Sequence, residues 1–214
     1  MFLFFEFFRW LALITGWPAF GLFFKRKVYY EDKKLQGRRI RGGALIISNH
    51  YHVFDYMLNM FLLAPRKLYV VASELAFSNK WLRFGMKFFG GIEANRISRS
   101  MRFVDTAADY IKKGRIVQIY PEGKITLDGK MAPFKQSYLA IALRANAPII
   151  PIIIDGNYGF FKRVHLIIGK PINLRDYCTS EKPSREEMAA LNDMVYTKCL
   201  ALKEDLDKRI KRGE

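Results

Sequence analysis

The sequence predicts an α/β fold in which helices flank a mainly parallel central sheet, with an N-terminal helical membrane anchor in front of it. Two patterns support this prediction. After residue 42, short β-branched runs alternate with stretches of helical periodicity, an order typical of a parallel sheet covered by helices. Residues 1–24 are almost entirely apolar and carry only two charged side chains, which is typical of a segment that meets lipid.

Five short apolar runs are the predicted strands of the sheet. The run IIPIII is apolar at every position, which indicates a strand buried on both faces, as in parallel sheets. The predicted strands cover residues 44–48, 68–72, 116–120, 149–154 and 164–168.

Helical periodicity fills the intervals between these strands. Gly114 stands where the third helix should stop, and Ser184 with Glu187 forms a capping box at the start of the last helix. Leu191, Val195, Leu202, Leu206 and Ile210 give that helix an apolar stripe, which predicts core packing. The predicted helices cover residues 55–63, 79–89, 101–113, 135–145 and 185–211.

Two regions are predicted along the chain. Residues 1–24 form a membrane-associating segment, and residues 25–214 form a single folded domain. The apolar run that ends at Phe24 is interrupted by Gly16, Pro18 and Gly21, so it is short of the ~20 residues that a spanning helix needs. Basic residues follow the run, whereas a signal peptide has them in front. A monotopic anchor fits better, and a first buried helix of the core is the alternative.

The chain is strongly basic, with 36 Lys and Arg against 20 Asp and Glu and a formal charge of +16. Nucleic acid, anionic lipid and a phosphate-bearing substrate are the possible partners. Residues 25–41 hold eight basic and two acidic side chains directly after the apolar segment. This position favours an anionic membrane surface, and no nucleic-acid-binding motif is present. We therefore expect a monotopic or peripheral protein at the cytoplasmic face of the cell membrane.

A candidate catalytic pair follows the first predicted strand of the domain, in the segment SNHYHVFD at residues 48–55. Sites in open α/β sheets form at the carboxyl ends of strands. There His50 could act as a general base, because histidine titrates near neutrality, and Asp55 could fix its tautomer. His52 is a rival, because it lies three residues before Asp55 and could face it on a helix. By themselves these residues could equally form an ordinary polar loop.

Three further segments change this interpretation: GGIEANR at 90–96, YPEGKIT at 120–126 with DGKMAPFK at 128–135, and APIIPI at 147–152. Together with the His50–Asp55 segment, and in this order, they resemble the motifs of the 1-acylglycerol-3-phosphate acyltransferase (PlsC-like) family of glycerolipid acyltransferases. The resemblance runs from about residue 42 to residue 154. It implies the αβ fold of that family.

The resemblance also implies a reaction. The family transfers a fatty acyl group from an acyl-CoA or acyl carrier protein thioester to a hydroxyl of a lysophospholipid. By that resemblance His50 is the general base, oriented by Asp55, and the product is phosphatidic acid made from 1-acyl-glycerol-3-phosphate. No acyl-enzyme, metal or resident cofactor is implied, and neither Cys178 nor Cys199 lies in a motif. The alternatives are another lysophospholipid or glycerol 3-phosphate as acceptor, or a non-enzymatic lipid-binding protein.

The same resemblance implies a set of substrate-binding residues. Glu122 and Gly123 would help to hold the acceptor. Arg96 would bind the acceptor phosphate, because the N–H groups of a guanidinium can donate to two phosphate oxygens. With the His50–Asp55 segment counted as the first motif, GGIEANR is the second and YPEGKIT begins the third. The third motif departs from the family pattern, since Ile125 stands where the family has Arg. Lys124, one residue earlier, would then replace it as a point charge. This departure bears on the identity of the acceptor more than on the reaction.

Overall fold

The computed structural model describes residues 11, 14–16, 21, 25–36, 40–95, 101–126, 128–159 and 162–214. Within them it confirms the predicted α/β fold, a seven-stranded sheet with helices on both faces. The strands are β1 (Lys25–Tyr30), β2 (Ala44–Ser48), β3 (Leu68–Ser73), β4 (Gly91–Ala94), β5 (Ile116–Ile119), β6 (Ile149–Ile154) and β7 (Arg163–Ile168). The helices are α1 (Asp55–Leu63), α2 (Lys80–Phe88), α3 (Arg102–Lys112), α4 (Ser137–Ala145) and α5 (Arg185–Lys211).

The sheet is mainly parallel, as predicted. Its strand order is β1-β7-β6-β2-β5-β3-β4. From β6 to β4 all neighbours are parallel, so the carboxyl ends of these five strands share one edge of the sheet. β7 runs antiparallel to β6, and β1 pairs with β7 in parallel. We call the shared edge the carboxyl edge, and the site described below lies there.

Alternate residues of the central strands point into two separate cores. On one face, Leu45 and Ile47 of β2 belong to a core that also contains the buried residues of α3, α4 and α5. On the other face, Ala44 and Ile46 pack in a smaller core with Leu58 of α1. All five residues of β2 are buried, which explains why the strand reads as a continuous apolar run.

The ends of the helices follow the signals in the sequence. Ser184 and Glu187 form the predicted capping box at the start of α5, and Gly114 follows α3 with a positive φ of 76°. The predicted stripe of α5 is buried from Leu191 to Leu206, and Ile210 packs at its edge.

Two strands were not predicted, and both lie at an edge of the sheet. β1 falls in the basic stretch read as a membrane-adjacent segment, and its sequence KRKVYY is half charged. β4 has only four residues and lies inside the second motif. Edge strands need not be apolar on both faces, and charge protects them from unwanted pairing, so neither carries the pattern of a buried strand.

The predicted anchor at residues 1–24 falls outside the described residues, apart from five positions. Among those, Gly16 lies beside the ring of Phe61 in α1, while Leu11 and Ile14 are exposed. In the described part of the chain, no helix has both the length and the apolar character needed to cross a bilayer. The anchor therefore stays a prediction.

Candidate active site

Three loops meet at the carboxyl edge because the strands that precede them are neighbours. β2 lies between β5 and β6, so the segments that leave these three strands emerge side by side. The segment after β2 carries His50 and Asp55, the one after β5 carries Tyr120 and Glu122, and the one after β6 carries Tyr158.

His50 and Asp55 are joined by a hydrogen bond. His50 lies in the turn that follows β2, and Asp55 is the first residue of α1, as the sequence predicted. His50 Nδ1 is 3.0 Å from Asp55 Oδ2. A neutral ring that donates its Nδ1 hydrogen to Asp55 presents the Nε2 lone pair as a proton acceptor. The Asp55 side chain is fully buried, whereas the His50 side chain is 20% exposed, so the ring is accessible to a substrate.

The Asp55 carboxylate is held by four donors. Besides the His50 ring, its Oδ2 accepts the backbone N–H groups of Tyr51 and His52, both at 2.8 Å. Its Oδ1 accepts the hydroxyl of Tyr158 at 2.5 Å. A buried carboxylate needs such partners, because an unpaired charge in the interior is costly. Asp55 therefore has one fixed orientation in which to direct the His50 ring.

The His52 ring does not make the contact that its spacing allowed. Its Nδ1 accepts the backbone N–H of Phe54 at 3.2 Å, and the ring packs against Tyr158 and Phe54. Only the backbone N–H of His52 reaches Asp55. The geometry therefore pairs Asp55 with the ring of His50, while the His52 ring packs against Tyr158.

Tyr120 packs flat against the His50 ring, with centroids 3.9 Å apart and an angle of 15° between planes. Burial, with a smaller contribution from the Asp55 charge, raises the pKa of Tyr120 well above its usual value. Burial and the contact with Asp55 likewise raise the pKa of Tyr158. Both hydroxyls therefore stay protonated, and Tyr158 remains a donor to the carboxylate.

Glu122 links the turn that carries His50 to the loop after β5. Its Oε1 accepts the backbone N–H of His50 at 3.0 Å, and its Oε2 accepts the Thr126 hydroxyl and the Ala132 N–H, both at 2.7 Å. The residue is 3% exposed. A buried carboxylate with both oxygens engaged organises the site from within. Its predicted contact with the acceptor stays a prediction.

Asn49 fixes the start of the same turn. Its side-chain amide donates to the Ile154 carbonyl at 2.8 Å and accepts the Ile154 N–H at 2.9 Å. Both residues are fully buried. The amide thus continues the pairing between β2 and β6 by one step after the main chain of β2 has left the sheet.

Gly123 has a left-handed backbone with φ of 68°, a conformation that favours glycine. A Cβ at this position would lie 2.8 Å from Lys135 Nζ, so the Lys135 side chain lies across the Gly123 backbone. Lys124, the predicted replacement cation, is exposed. Arg96, the predicted phosphate ligand, falls outside the described residues.

A cavity of about 410 Å³ lies beside Tyr120, between the carboxyl ends of β3, β4 and β5. Its walls are mostly apolar and include Val71, Phe103 and Ile119, while Ser73, Asn95 and Lys135 add polar groups. Ligand sites commonly combine an apolar wall with a few polar groups in this way. Because Tyr120 lines the cavity and also stacks on His50, the cavity adjoins the catalytic candidate.

A second His–Asp pair lies outside this site. His165 Nδ1 is 2.8 Å from Asp155 Oδ2, and the His165 ring stacks on Tyr29 of the edge strand β1. This pair connects β6, β7 and β1.

Several residues of the site escaped sequence reasoning. Tyr120, Thr126 and Ala132 all lie within or just after the third motif, but nothing in their spacing indicates which atoms they contact. Tyr158 lies beyond the last motif and is 103 residues from Asp55. The one available signal was its place four residues after a predicted central strand, at the edge where sites form.

The chain is similar to known proteins. The profile of the family described as Acyltransferase matches residues 26–155. The chain is 29% identical over 155 residues to human 1-acyl-sn-glycerol-3-phosphate acyltransferase beta, covering 69% of this chain and 54% of the relative. It is 34% identical over 195 residues to a chloroplastic 1-acyl-sn-glycerol-3-phosphate acyltransferase, BAT2, of Brassica napus, covering 76% and 56%. The chain thus spans about half the length of the curated relatives it matches.

A solved structure is also similar in fold. It is the 1-acyl-sn-glycerophosphate acyltransferase PlsC from Thermotoga maritima, with a TM-score of 0.63 and 23% sequence identity. The match covers 90% of this chain and 78% of that chain. At this identity the likeness establishes a shared fold.

Proposed function

The chain belongs to the Acyltransferase family, and we propose that it is an O-acyltransferase that converts 1-acyl-glycerol-3-phosphate into phosphatidic acid. The acyl group would come from acyl-CoA or acyl carrier protein and go to the sn-2 hydroxyl. The observation that carries the proposal is the His50–Asp55 hydrogen bond of 3.0 Å, in a site beside an apolar cavity. The curated relatives quoted above carry the name of this activity.

The proposed reaction is a direct transfer. His50 Nε2 takes the proton of the acceptor hydroxyl while its oxygen attacks the thioester carbonyl, and a new C–O bond forms. The tetrahedral intermediate collapses, the C–S bond breaks, and the departing thiolate takes the proton from His50 to become a thiol. Asp55 stabilises the imidazolium between these two steps. A base of this kind contributes about 10²–10⁴-fold to the rate.

No covalent acyl-enzyme is needed in this scheme, and the cysteines support that. Cys199 is buried in α5, and burial raises the pKa of its thiol to about 12. Cys178 follows β7 at the other end of the sheet, and burial raises its pKa as well. A protonated thiol is a poor nucleophile, so neither cysteine suits an acyl carrier role.

Two lysines are candidates for the acceptor phosphate. Lys135 lies over Gly123 and lines the cavity, and Lys124 is exposed next to Gly123. Either lysine would supply the positive charge that the third motif lacks because Ile125 replaces its arginine. Arg96 is proposed as a further phosphate ligand on the basis of its motif. The cavity is proposed to hold acyl-chain carbons, since its wall is mainly apolar.

Another lysophospholipid, or glycerol 3-phosphate, is the alternative acceptor. Lys124 and Ile125, both exposed, motivate it, because this pair departs from the family pattern in the motif that should contact the acceptor head group. Under either acceptor, we propose that the protein works at the cytoplasmic face of a membrane with anionic lipid.

A panel of substrates tests the proposal. Purified full-length protein would be incubated with acyl-CoA or acyl carrier protein thioesters and with lysophosphatidic acid, lysophosphatidylcholine, lysophosphatidylethanolamine or glycerol 3-phosphate. Mass spectrometry should detect phosphatidic acid and free thiol in equal amounts, and His50→Ala should abolish both. Acylation restricted to acceptors without a terminal phosphate would reject lysophosphatidic acid as the substrate.

A further inference from the structure

An amphipathic surface that the catalytic proposal does not use surrounds the start of α2. Trp81 is 86% exposed, and Leu75, in the 3-10 turn before the helix, is 67% exposed. Leu82 is also exposed. Tryptophan is usually well buried in soluble proteins. A largely exposed Trp beside two exposed leucines therefore indicates a surface that binds a partner.

Basic residues line one side of this apolar group. Lys80, Arg83 and Lys87 follow one another at helical spacings of three and four, so they share a face of α2. All three are exposed, and α2 contains no acidic residue. None of the nine residues of α2 is fully buried. Aromatic and aliphatic side chains next to a purely basic face are the pattern of a helix that lies in a membrane interface.

The position of the helix relative to the site is the second observation. The turn with Leu75 begins directly at the carboxyl end of β3, so it lies on the edge of the sheet that carries His50. Val53, Met101 and Ile125 follow β2, β4 and β5 on that same edge, and all three are exposed. We call these three residues, together with Leu75, Trp81 and Leu82, the apolar rim.

The rim is continuous with the cavity beside His50. Met101 belongs to the rim and also lines that cavity with Tyr120. A surface that contacted lipid through the rim would therefore bring the acyl region of the bilayer to the mouth of the cavity. A lipid substrate could then pass from the bilayer into the cavity without crossing water.

We propose that the apolar rim and the basic face of α2 form a membrane-docking surface that inserts Trp81 into an anionic lipid leaflet. The occupant is a bilayer rather than a protein because the charge on the helix is of one sign and the chain as a whole carries +16. Trp81 takes the interfacial position that suits an amphipathic ring. This surface is distinct from the anchor predicted at residues 1–24, and the proposal does not depend on the identity of the acceptor.

Fluorescence of Trp81 tests the insertion directly. The chain has three tryptophans, so Trp10→Phe with Trp17→Phe leaves Trp81 as the sole tryptophan, whose emission is read under excitation that tyrosine does not absorb. We expect its emission to shift to the blue and to be quenched by phosphatidylcholine–phosphatidylglycerol vesicles with brominated acyl chains. The matched control adds Trp81→Phe and Leu200→Trp, which moves the emitter to an exposed position on α5. This control emitter should be neither shifted nor quenched.

Three results would overturn the proposal. The first is Trp81 emission that stays unchanged on anionic vesicles, even if the protein itself sediments with them. The second is equal quenching of the control emitter on α5. The third is a blue shift of Trp81 on raising the protein concentration without lipid, because that result assigns the surface to a second copy of the chain.

Charge neutralisation tests the basic face. Lys80→Gln, Arg83→Gln and Lys87→Gln together should raise the concentration of anionic vesicles needed for half-maximal quenching by about fivefold for each charge removed. The control triple, Lys182→Gln with Arg185→Gln and Lys211→Gln, changes the net charge equally at exposed positions in and before α5. It should leave the midpoint unchanged. Equal effects of the two triples would contradict docking through α2.

Discussion

Tyr158 and Asp55 are joined by a 2.5 Å hydrogen bond that reaches the one carboxylate oxygen that His50 does not contact. The hydroxyl comes from the loop after β6, whereas Asp55 opens α1. The carboxylate is therefore clamped between two loops, and its direction toward His50 depends on both.

Tyr158→Phe should lower kcat by about 10- to 100-fold with little change in KM. A hydrogen bond to a charged group is worth about 1.5–3 kcal/mol, and its loss leaves Asp55 Oδ1 unpaired beside the base. Steady-state kinetics measures the effect. Tyr177→Phe, in an exposed turn before α5, is the control and should keep parental kinetics. An unchanged kcat in Tyr158→Phe would show that Asp55 does not need this donor.

His50→Ala and His52→Ala should differ in their effect on kcat. Removal of the base should lower kcat by about 10²–10⁴-fold. The His52 ring instead contacts the backbone N–H of Phe54 and the rings of Phe54 and Tyr158. We expect a loss of less than about tenfold for His52→Ala, since one buried contact is worth about 1 kcal/mol. Greater loss in His52→Ala than in His50→Ala would transfer the base to His52.

Glu122→Gln should destabilise the protein by about 1–3 kcal/mol. An amide can accept on one oxygen only, so its NH₂ group would face either the His50 N–H or the Thr126 and Ala132 donors. Thermal unfolding should register a lower Tm, by about 2–4 °C for each kcal/mol, together with reduced activity. Glu181→Gln, at an exposed position, serves as the matched control. A parental Tm would argue against Glu122 as an internal clamp.

Gly123→Ala should reduce activity more than stability. The left-handed φ of 68° costs an alanine about 1 kcal/mol, and the new methyl group would displace the Lys135 ammonium. If Lys135 binds the acceptor phosphate, KM for the acceptor should rise, and Lys135→Met should raise it similarly. Gly129 also has a positive φ, but nothing lies close to where its Cβ would be. Gly129→Ala is therefore a control that measures the cost of the backbone conformation alone.

Alkaline pH should destabilise the fold in a defined window. Burial raises the pKa of Tyr51 from 10.0 to about 12. Between these values the unfolded chain has lost a proton that the folded chain keeps, so the free energy of unfolding falls as the pH rises. Urea unfolding at increasing pH should show a shallower fall in Tyr51→Phe than in the parent. An identical slope in both proteins would exclude this tyrosine as a source.

Local periodicity predicted most of the fold because the central elements are regular and buried. β2, β6, α1 and α5 begin and end at the expected residues, since continuous apolar runs and capping residues mark them. β1 and β4 escaped prediction because an edge strand packs on fewer neighbours and tolerates charge. Apolar patterns reveal the strands that are buried in the core, whereas edge strands need fewer apolar residues and leave a weaker pattern.

The site divides in a similar way. His50 and Asp55 were predictable because they lie five positions apart across one turn, and the family motifs point to them. Tyr158 was not, since its approach to Asp55 depends on β6 lying next to β2, a pairing that no local pattern contains. The His50–Tyr120 stacking depends equally on the adjacency of β2 and β5.

The Asn49 amide has a consequence for how the turn with His50 can move. Because it binds both backbone groups of Ile154, that turn should open only when β2 separates from β6, which means when the centre of the sheet unfolds. The Ile154 amide hydrogen should then exchange with solvent as slowly as those of the strand interior. Any movement that admits substrate would then occur elsewhere around the apolar rim, while the backbone of His50 stays as rigid as the central sheet.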